Sequence, residues 1–402
     1  MSTTTEANGS LARMPCYRVT VIVANVKQYR KFFYSQLRDV LGPYRIQLTV
    51  LYSDPDPVEH KKADSIDLSP PLGKKIPRFF IWNNRVLLQM LALKDVAKSD
   101  LIIIVQSTGY LVNYPLLLLS ALGLKRIAFW GHGYNRQGRS GALSERVKRR
   151  LANASDWWFA YTQETARYLC SVGVSPHKIT VIENAIDTRG VQETVESVTA
   201  DEIASMRQRV GLTATDRVGL YCGSLYKEKR ISLLLSSAAQ IAKTVPDFRL
   251  LVVGAGLEAE AVQTFSKANL SVHYAGAMFG RDKAICFRIA ELFFNPGAVG
   301  LGILDSFAAS LPLVTTNDAL HGPEIEYLRH GTNGLRVEGT SVALSQGVIN
   351  LLQNDALLNK LRIGAAETAK RYTLENMVKN VRDGILACLL ASSKRVRTDR
   401  TG

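Results

Sequence analysis

The sequence predicts an α/β fold made of two similar domains, each with a mostly parallel sheet covered by helices. Short apolar runs bounded by turn residues alternate with amphipathic stretches along most of the chain. This alternation is interrupted once, at residues 187–216, where the chain becomes acidic and polar. The 402 residues, 47% of them hydrophobic, are enough for two domains with separate cores.

In the first half of the chain, apolar runs predict strands with helices between them. The predicted strands are residues 17–23, 46–52, 101–105, 126–129, 158–161 and 179–182. The predicted helices begin near residue 28 and lie at residues 85–93, 112–122, 143–151 and 163–172. Strands that alternate with helices indicate a parallel sheet with both faces covered.

The second half repeats this pattern after residues 187–216, which we expect to form a linker with one helix. Its predicted strands are residues 218–222, 249–253, 272–275, 292–295 and 313–316. Its predicted helices are residues 231–244, 259–268, 282–290, 323–329, 342–353, 356–371 and 373–390. The predicted domains are therefore residues 16–190 and 191–372, followed by a last helix at 373–391, with residues 1–15 and 392–402 disordered.

The net charge of +15 calls for an anionic partner, such as nucleic acid, a membrane surface or anionic ligands. Residues 125–150 carry eight basic side chains and one acidic one, although such a segment is often a solvated helix face. The basic residues are not interleaved with stacking aromatic residues in a repeated pattern, which argues against nucleic acid.

Cysteine spacing and hydropathy indicate the cellular compartment of the protein. Five widely spaced cysteines without a Cys-x-x-Cys pair favour a reducing compartment and argue against disulfides and a zinc site. The polar N-terminus lacks an apolar signal core, and the longest apolar run is shorter than the roughly 20 residues that span a bilayer. We therefore expect a cytoplasmic protein without a membrane span.

The stretch at residues 295–316 has the features of an anion-binding loop. It reads as a strand end, a loop with three glycines and a short helix, at whose start backbone N–H groups are unpaired. Asp305 lies one turn into this helix, where its carboxylate could accept hydrogen bonds from sugar hydroxyls. A phosphorylated sugar compound fits this pattern, and an ordinary strand–turn–helix unit remains the alternative.

Two other predicted strand ends carry unusual residues, and strand ends are where ligands bind in open α/β sheets. His132 lies between two glycines, which favours an exposed position, although a lone histidine is more often structural. Gly223 and Ser224 open a tight turn before Lys227, Lys229 and Arg230. These cations oppose the dipole of the next helix, which suits a diphosphate ligand, with a solvated basic turn as the alternative.

Two further patterns are weaker. Residues 254–259 (GAGLEA) fit the dinucleotide fingerprint, but the next predicted strand ends without a carboxylate, so NAD binding is disfavoured. Asp54 and Asp56 mimic a metal-binding pair, but they lie in a Pro-rich loop that we interpret as flexible. We therefore predict no metal site.

Six short motifs, in order along the chain, resemble the family 4 glycosyltransferases of the GT-B fold. They are WGHG, FAYT, VIENAID, GSLYKEKR, VVGAG and PGAVGLGILDSFAASLPLV, within a similarity that runs from about residue 17 to 390. The resemblance implies two Rossmann-like domains with parallel sheets facing across a cleft. It also implies a retaining hexosyltransferase that needs no metal or other cofactor and uses a nucleotide diphosphate sugar as donor.

The resemblance further implies that the first domain binds the acceptor, that the second binds the donor, and that the last helix returns to the first. By position, Lys229 matches the lysine that holds the donor diphosphate, and Asp305 matches the second glutamate of Glu-x7-Glu, which binds the ribose. Gly300 and Leu301 fall in the loop whose N–H groups reach the phosphates or the sugar. His132 falls beside the reacting centre, and Glu324 resembles an acid near the base or ribose.

The chain departs from the family pattern at two positions. The first glutamate of Glu-x7-Glu is Gly297 here, which puts the binding of the sugar hydroxyls in doubt. The arginine that usually accompanies the lysine is Ser224, so Lys227 or Arg230 would have to supply the second cation. An inactive relative that binds without turnover is therefore one alternative.

From these observations we expect transfer of a sugar to a glycan or lipid-linked acceptor in surface polysaccharide biosynthesis. Trp157 and Trp158 follow the basic segment, and aromatic residues beside cations suit a membrane interface. We therefore expect peripheral binding to the cytoplasmic face of an anionic membrane. The alternatives are a nucleotide-sugar epimerase or other GT-B enzyme, and a basic nucleic-acid-binding protein on this fold.

Overall fold

The computed structural model describes residues 16–55, 64–81, 86–91, 93–133 and 150–391. These residues form two compact units. One combines the chain up to Asn184 with the chain from Glu375 onward, and the other is Ala185–Leu374. The division falls six residues earlier than the predicted boundary at residue 190, and the last helix clusters with the first unit.

The first unit is built on a seven-stranded parallel sheet in the order β3-β2-β1-β6-β7-β8-β9. Its strands are β1 (Tyr17–Ile22), β2 (Ile46–Tyr52), β3 (Gly73–Lys75), β6 (Leu101–Val105), β7 (Arg126–Gly131), β8 (Trp157–Ala160) and β9 (Ile179–Val181). Its helices are α1 (Lys31–Leu41), α2 (Leu93–Lys98), α3 (Asn113–Ala121) and α4 (Gln163–Ser171). The predicted parallel sheet is confirmed.

The predicted helix at residues 85–93 is wrong. The chain there forms β5 (Val86–Gln89), which pairs in antiparallel fashion with β4 (Arg78–Ile81) in a separate two-stranded sheet. The α-helix begins only at Leu93. A short apolar run fits strand and helix equally well, and pairing with a neighbouring segment decided this one. Most of the predicted helix at residues 143–151 lies outside the described residues.

The second unit is built on a six-stranded parallel sheet in the order β12-β11-β10-β13-β14-β15. Its strands are β10 (Arg217–Cys222), β11 (Phe248–Val253), β12 (Val272–Gly276), β13 (Leu292–Phe294), β14 (Leu313–Thr316) and β15 (Gly334–Val337). Its helices are α5 (Thr188–Glu196), α6 (Ala200–Arg209), α7 (Ile231–Thr244), α8 (Ala259–Ala268), α9 (Gly280–Ile289), α10 (Gly302–Ala308), α11 (Ser341–Leu352) and α12 (Asp355–Arg371).

The expected linker at residues 187–216 contains two helices rather than one. Asp187 caps α5 by accepting a hydrogen bond from the Gly190 N–H, and Thr199 and Glu202 form a capping box at the start of α6. Both helices pack against α9. The acidic residues that suggested a linker are thus partly helix caps, which favour acids for electrostatic reasons.

The last helix, α13 (Leu374–Leu390), packs on the sheet of the first unit. At Gly384, an added Cβ would lie 2.7 Å from the Phe159 ring and 2.5 Å from Thr180. The guanidinium of Arg126 donates hydrogen bonds to the carbonyls of Cys388, Leu389 and Ala391. A cation at the last carbonyls satisfies the free acceptors of the helix end and stabilises its dipole.

Trp157 and Trp158 are core residues, so their proposed place at a membrane interface is wrong. Trp157 is 7% exposed and Trp158 is fully buried, and both lie on β8, which is flanked by β7 and β9. Their indole N–H groups donate to Thr180 Oγ1 and to the Ala152 carbonyl over 2.9 and 2.8 Å. Tryptophan carries a polar handle that is usually satisfied when it is buried.

Candidate functional site

In the second unit, the loop after β13 and the turn after β10 approach so closely that no side chain fits between them. A Cβ added to Gly297 would lie 2.2 Å from the carbonyl carbon of Lys229 and 2.4 Å from its Cα. The N–H of Ala298 donates to the Glu228 carbonyl over 2.8 Å. Glycine at residue 297 therefore follows from packing, and a glutamate could not occupy this backbone.

The side chain of Lys229 is held by the same loop that its backbone contacts. Its turn, a 3₁₀ helix at Lys227–Lys229, follows strand β10. Strand β10 is the neighbour of β13 in the sheet. The Lys229 ammonium donates to the Ala298 carbonyl, and the ring centroid of Tyr226 is 5.9 Å away. Burial lowers the pKa of Lys229 to about 8, although the nearby Glu228 acts in the opposite direction. The ammonium is thus fixed in place and easily deprotonated.

His321 fixes the next residue of the same loop, and the sequence analysis did not single it out. Its Nδ1 accepts from the Val299 N–H over 3.2 Å, and its Nε2 lies 2.8 Å from the Thr316 carbonyl, to which it donates. Burial lowers the pKa of His321 to about 4, with nearby Arg336, Arg230 and Lys229 acting in the same direction. The side chain is 4% exposed, so a neutral imidazole clamps the loop to β14.

Gly223 and Ser224 pack against the glycine-rich turn after β11. Backbone N–H groups of Gly223 and Leu225 donate to the Val253 and Ala255 carbonyls over 2.9 and 2.8 Å. A Cβ on Gly254 would lie 1.9 Å from the Gly223 carbonyl oxygen. The glycines of the GAG sequence thus allow two loops to touch, which accounts for them without a dinucleotide.

Asp305 forms an ion pair that the sequence analysis missed. Lys283 on α9 donates to Asp305 Oδ1 over 2.8 Å, with 30% and 16% of the two side chains exposed. Burial lowers the pKa of Lys283, but the charge and hydrogen bond of Asp305, together with the charge of Cys222, outweigh it, so the net shift is upward. Burial likewise raises the pKa of the adjacent Cys222 thiol to about 12. In the described part of the chain, Asp305 Oδ2 carries no protein hydrogen bond and can accept one.

Of the two candidate replacements for the family arginine, Arg230 is already in an ion pair. Arg230 has a left-handed backbone, with φ at 54°, and its guanidinium pairs with Asp318 over 2.9 Å. Lys227 is exposed. Ser224 accepts a hydrogen bond from the Tyr221 hydroxyl through its carbonyl, 2.8 Å away. Arg230 therefore stabilises the loop after β14 instead of supplying a second cation.

The remaining predicted residues of this unit surround the same loop. Gly300 and Leu301 are half-buried, and within the described chain their N–H groups donate to no protein acceptor. An added Cβ on Gly300 would meet open space. Glu324 is 4% exposed in a 3₁₀ helix, Pro323–Tyr327, and the N–H of the preceding Gly322 donates to the Val299 carbonyl over 2.7 Å.

His132 belongs to the first unit. It is exposed at the carboxyl end of β7, as predicted, and its ring meets the Tyr161 ring edge to face, with centroids 4.6 Å apart. Gly133 follows with φ at 77°, and its carbonyl accepts from the Gln106 amide over 2.9 Å. The left-handed backbone at Gly133 holds the strand end in a tight turn.

The described residues also bear on metal binding and on membrane insertion. Across the described chain, no group of three or more His, Cys, Asp or Glu side chains could hold a metal ion. Metal independence stays a prediction. Within the same ranges, no helix is long and apolar enough to cross a bilayer.

Comparisons with known proteins match both halves of the chain to glycosyltransferases. Residues 37–189 match the family described as "Glycosyltransferase Family 4", and residues 216–354 match the one described as "Glycosyl transferases group 1". Among curated relatives, alpha-monoglucosyldiacylglycerol synthase of Acholeplasma laidlawii is 22% identical over 50% of this chain and 51% of its own length. Phosphatidyl-myo-inositol mannosyltransferase of Mycobacterium leprae is 28% identical over 45% and 49%. The chain spans about half the length of these curated relatives.

Solved structures agree on the fold. A glycosyltransferase from Rickettsia africae superposes with a TM-score of 0.68 at 16% identity, covering 94% of this chain and 99% of its own. Anabaena HepE in complex with UDP and glucose gives 0.66 at 16% identity, covering 92% and 100%. The fold is therefore that of the GT-B class, as predicted. Within that class, the chain belongs to the family 4 glycosyltransferases.

Proposed function

We propose that the protein is a retaining glycosyltransferase whose second unit binds a nucleotide diphosphate sugar. The observation that carries this proposal is the fixed Lys229 ammonium, held by the Ala298 carbonyl beside a loop with open backbone donors. Two related proteins are named for sugar transfer to lipids, and HepE was solved with UDP and glucose. A diphosphate is the ligand that such a cation and such N–H groups recognise.

The proposed chemistry is stabilisation of the leaving group. As the nucleoside diphosphate departs, negative charge grows on its β-phosphate. Lys229 and the N–H groups of Gly300 and Leu301 stabilise that charge more in the transition state than in the ground state. The loss of one such donor typically costs about 10²–10³ in rate. Asp305 Oδ2 is available for a ribose hydroxyl, while Lys283 holds the other oxygen.

The packing of the loop after β13 also explains why residue 297 is glycine where the family pattern has a glutamate. Because residue 297 lies against the Lys229 backbone, no side chain from this position can reach the donor sugar. We infer that the backbone N–H groups of Gly300 and Leu301, together with Glu324, hold the sugar instead. The departure from the family motif is then compatible with activity, which turnover of a donor would demonstrate.

The test is a thermal-shift titration of the whole chain with UDP, GDP, ADP, CMP and NAD. A ligand bound only to the folded state raises the melting temperature by mass action. We expect a shift with one nucleoside diphosphate, lost in Lys229→Ala and Asp305→Ala and retained in Lys227→Ala, which removes an exposed cation two residues away. No shift with any of them, together with salt-sensitive binding of DNA or RNA, would replace this proposal by the nucleic-acid alternative. Products of the donor alone would distinguish an epimerase.

We also propose that the protein works at the cytoplasmic face of a membrane on a lipid-linked or glycan acceptor, as in surface polysaccharide assembly. The supporting feature is an apolar face on α3, where Tyr114, Leu118 and Leu122 are 40%, 60% and 62% exposed at helical spacing. Lys125 follows Leu122 by three residues, and its ammonium donates to the Ala97 and Ser99 carbonyls over 2.5 and 2.8 Å. Exposed apolar side chains followed by a basic segment suit an anionic lipid surface.

Liposome co-sedimentation tests the membrane proposal. Binding should require anionic lipid and weaken as salt rises, because exposed charges are screened. The double variant Leu118→Gln, Leu122→Gln should lose most of the binding. Leu257→Gln, which changes a leucine that is 95% exposed in the second unit, should not. Equal binding to neutral vesicles, or no effect of the double variant, would contradict the proposal.

A further inference from the structure

One helix of the second unit has an exposed outer face that the proposed donor site does not use. Helix α8 packs beside β12, the edge strand of the six-stranded sheet. On its inner side, Val262 is fully buried in the core and Phe265 is partly buried against it. The outer side borders an open groove, whose exposed lining residues are Leu257, Glu260, Ala261, Thr264 and Ala268.

A leucine is exposed at each end of this helix. Leu257 is 95% exposed in the turn before α8, and Leu270 is 88% exposed in the turn after it. Among the large hydrophobic side chains of the described chain, these two have the highest exposed fractions. Removing apolar surface from water is favourable, so a contact that covers both leucines would be stabilised by their burial.

The turn that carries Leu257 is fixed by backbone contacts. The N–H of Glu258 donates to the Leu225 carbonyl over 3.0 Å, and a Cβ added to Gly256 would lie 2.2 Å from the same oxygen. The N–H of Leu225 donates to the Ala255 carbonyl over 2.8 Å. Leu257 is thus presented at a set position, and little backbone freedom is lost when it enters a contact.

The charges of α8 are placed symmetrically about its middle, Gln263 and Thr264. Glu260 lies three residues before Gln263, and Lys267 lies three residues after Thr264. Both are exposed, and neither forms an ion pair within the described chain. The two exposed leucines lie six residues before and six residues after the same central pair. The surface therefore has opposite charges and matching apolar ends at equal distances from one point.

We propose that α8 is a contact surface for a second copy of this chain, with a two-fold axis at Gln263 and Thr264. In a two-fold contact a surface meets itself, so each residue before the axis faces its counterpart after the axis. Two antiparallel copies of α8 bring Glu260 of each copy to Lys267 of the other. They also bring the exposed leucines together at both ends. Antiparallel helices place the positive end of one dipole beside the negative end of the other.

The size of the contact sets its strength. Ala261, Thr264 and Ala268 recur at helical spacing on the outer face, and small side chains let helices approach to about 8 Å. The helix with its two flanking turns is about 20 Å long, at about 1.5 Å per residue. Such a contact lies at or below the roughly 1,000 Å² of a stable interface, so the dimer is weak and reversible. The contact does not depend on the proposed function, because it includes no residue of the donor site.

Sedimentation velocity of the full chain tests the proposal between about 1 and 100 μM protein, the range of a weak complex. The salt concentration should be physiological, because the net charge of +15 makes the copies repel at low salt. We expect the average mass to rise with concentration from the monomer mass of 44.3 kDa towards twice that value. A chain that stays monomeric at every concentration would overturn the proposal.

Charge reversals test the two-fold geometry. Glu260→Lys and Lys267→Glu each place like charges opposite one another and should weaken pairing by at least about tenfold. A mixture of the two single variants should pair again, because each facing pair is then one cation and one anion. The double variant should pair with itself for the same reason. Both charges of the double variant oppose their own helix dipole, so an effect on helix stability alone would not be reversed. Failure of both combinations to restore pairing would overturn the two-fold contact.

Control variants locate the contact on α8. Leu257→Gln and Leu270→Gln should each weaken pairing by about tenfold, since each removes an apolar contact. Lys360→Glu makes the same change in net charge as Lys267→Glu at an exposed position on α12, and it should leave pairing unchanged.

The apolar face of α3 is the other surface through which two copies could meet. The double variant Leu118→Gln, Leu122→Gln should leave pairing unchanged, and loss of pairing in this variant alone would overturn the assignment to α8. The liposome comparison should use a protein concentration at which the chain is monomeric, so that Leu257→Gln reports on the membrane alone.

Discussion

The two parallel sheets end in different kinds of surface. In the second unit, the loops at the strand ends touch each other through backbone, and at Gly297 and Gly254 not even a Cβ fits. In the first unit, the strand ends surround a cavity lined by long side chains such as Arg30 and Tyr161. One sheet thus ends in main-chain groups, and the other ends in side chains.

The difference suggests how the two halves divide their tasks. Every nucleotide diphosphate sugar has the same diphosphate, and backbone N–H groups recognise it without a particular side chain. Acceptors differ from one transferase to another, and side chains can change while the sheet stays the same. If this division holds, the second unit depends on its backbone contacts more strongly than on any exposed side chain.

The largest effect is expected for Gly297→Ala. Its methyl group would lie 2.2 Å from the Lys229 carbonyl carbon, so the loop or the turn must move and Lys229 loses its position. We expect a loss of about 3 kcal/mol of stability, at the upper end for overpacking, and at least about 10² in rate. Gly42→Ala, in the first unit, where an added Cβ also meets open space and φ is −52°, is the matched control and should change both by little. Chemical denaturation and steady-state kinetics measure the pair, and equal effects of the two variants would break the comparison.

The second prediction concerns acid stability. His321 has a folded pKa of about 4, below the unfolded value of about 6.5, so the unfolded state binds the extra proton first. Its stabilising contribution is full above pH 6.5 and is lost as the pH falls toward 4. Between pH 7.5 and 5 we expect a loss of about 2 kcal/mol, reduced in His321→Gln. Denaturation monitored in each unit should show the second unit weakening first, and earlier loss of the first unit would contradict this.

Lys283→Met should raise the KM for the donor by about tenfold with a smaller effect on kcat. Lys283 is a positioning residue, since it holds Asp305 Oδ1 and leaves Oδ2 for the ligand. Its loss would let the half-buried carboxylate turn away. Lys283→Arg, which keeps the charge, should recover part of the affinity. Kinetics in which kcat falls alone would remove Lys283 from donor binding.

The smallest effect is a pH dependence. Because the pKa of Lys229 is lowered to about 8, the ammonium that meets the diphosphate is lost as the pH rises through that value. The parameter kcat/KM follows the free enzyme, so it should fall about fourfold between pH 7 and 8.5. Lys229→Arg should flatten this fall, because arginine stays charged. An unchanged profile in the wild-type protein would mean that Lys229 does not meet the donor in its charged form.

Much of the fold could be predicted because each parallel strand is an apolar run that can be recognised in the sequence without knowing its partner. Residues 86–89 could not, since their pairing with residues 78–81 decides between strand and helix. Lys229 and Asp305 were predicted as site residues from their place after strands. Lys283 and His321 were missed, because their partners are 22 and 5 residues away and no spacing rule connects them. A glycine in a loop looks permissive in sequence, whereas Gly297 is required by a backbone 68 residues earlier.

The path of the chain end has a consequence for biosynthesis. About 190 residues of the second unit separate the two parts of the first unit in the sequence. The hydrogen bonds of Arg126 to the carbonyls of Cys388, Leu389 and Ala391 therefore form only after the chain end has been made. On the ribosome, all seven strands of the first sheet emerge early, but the last helix of this unit emerges only when the chain is nearly finished. The second unit can fold while the first still lacks its last helix. A nascent or truncated chain that stops before residue 375 therefore leaves an apolar face uncovered, and such faces are what chaperones and proteases bind.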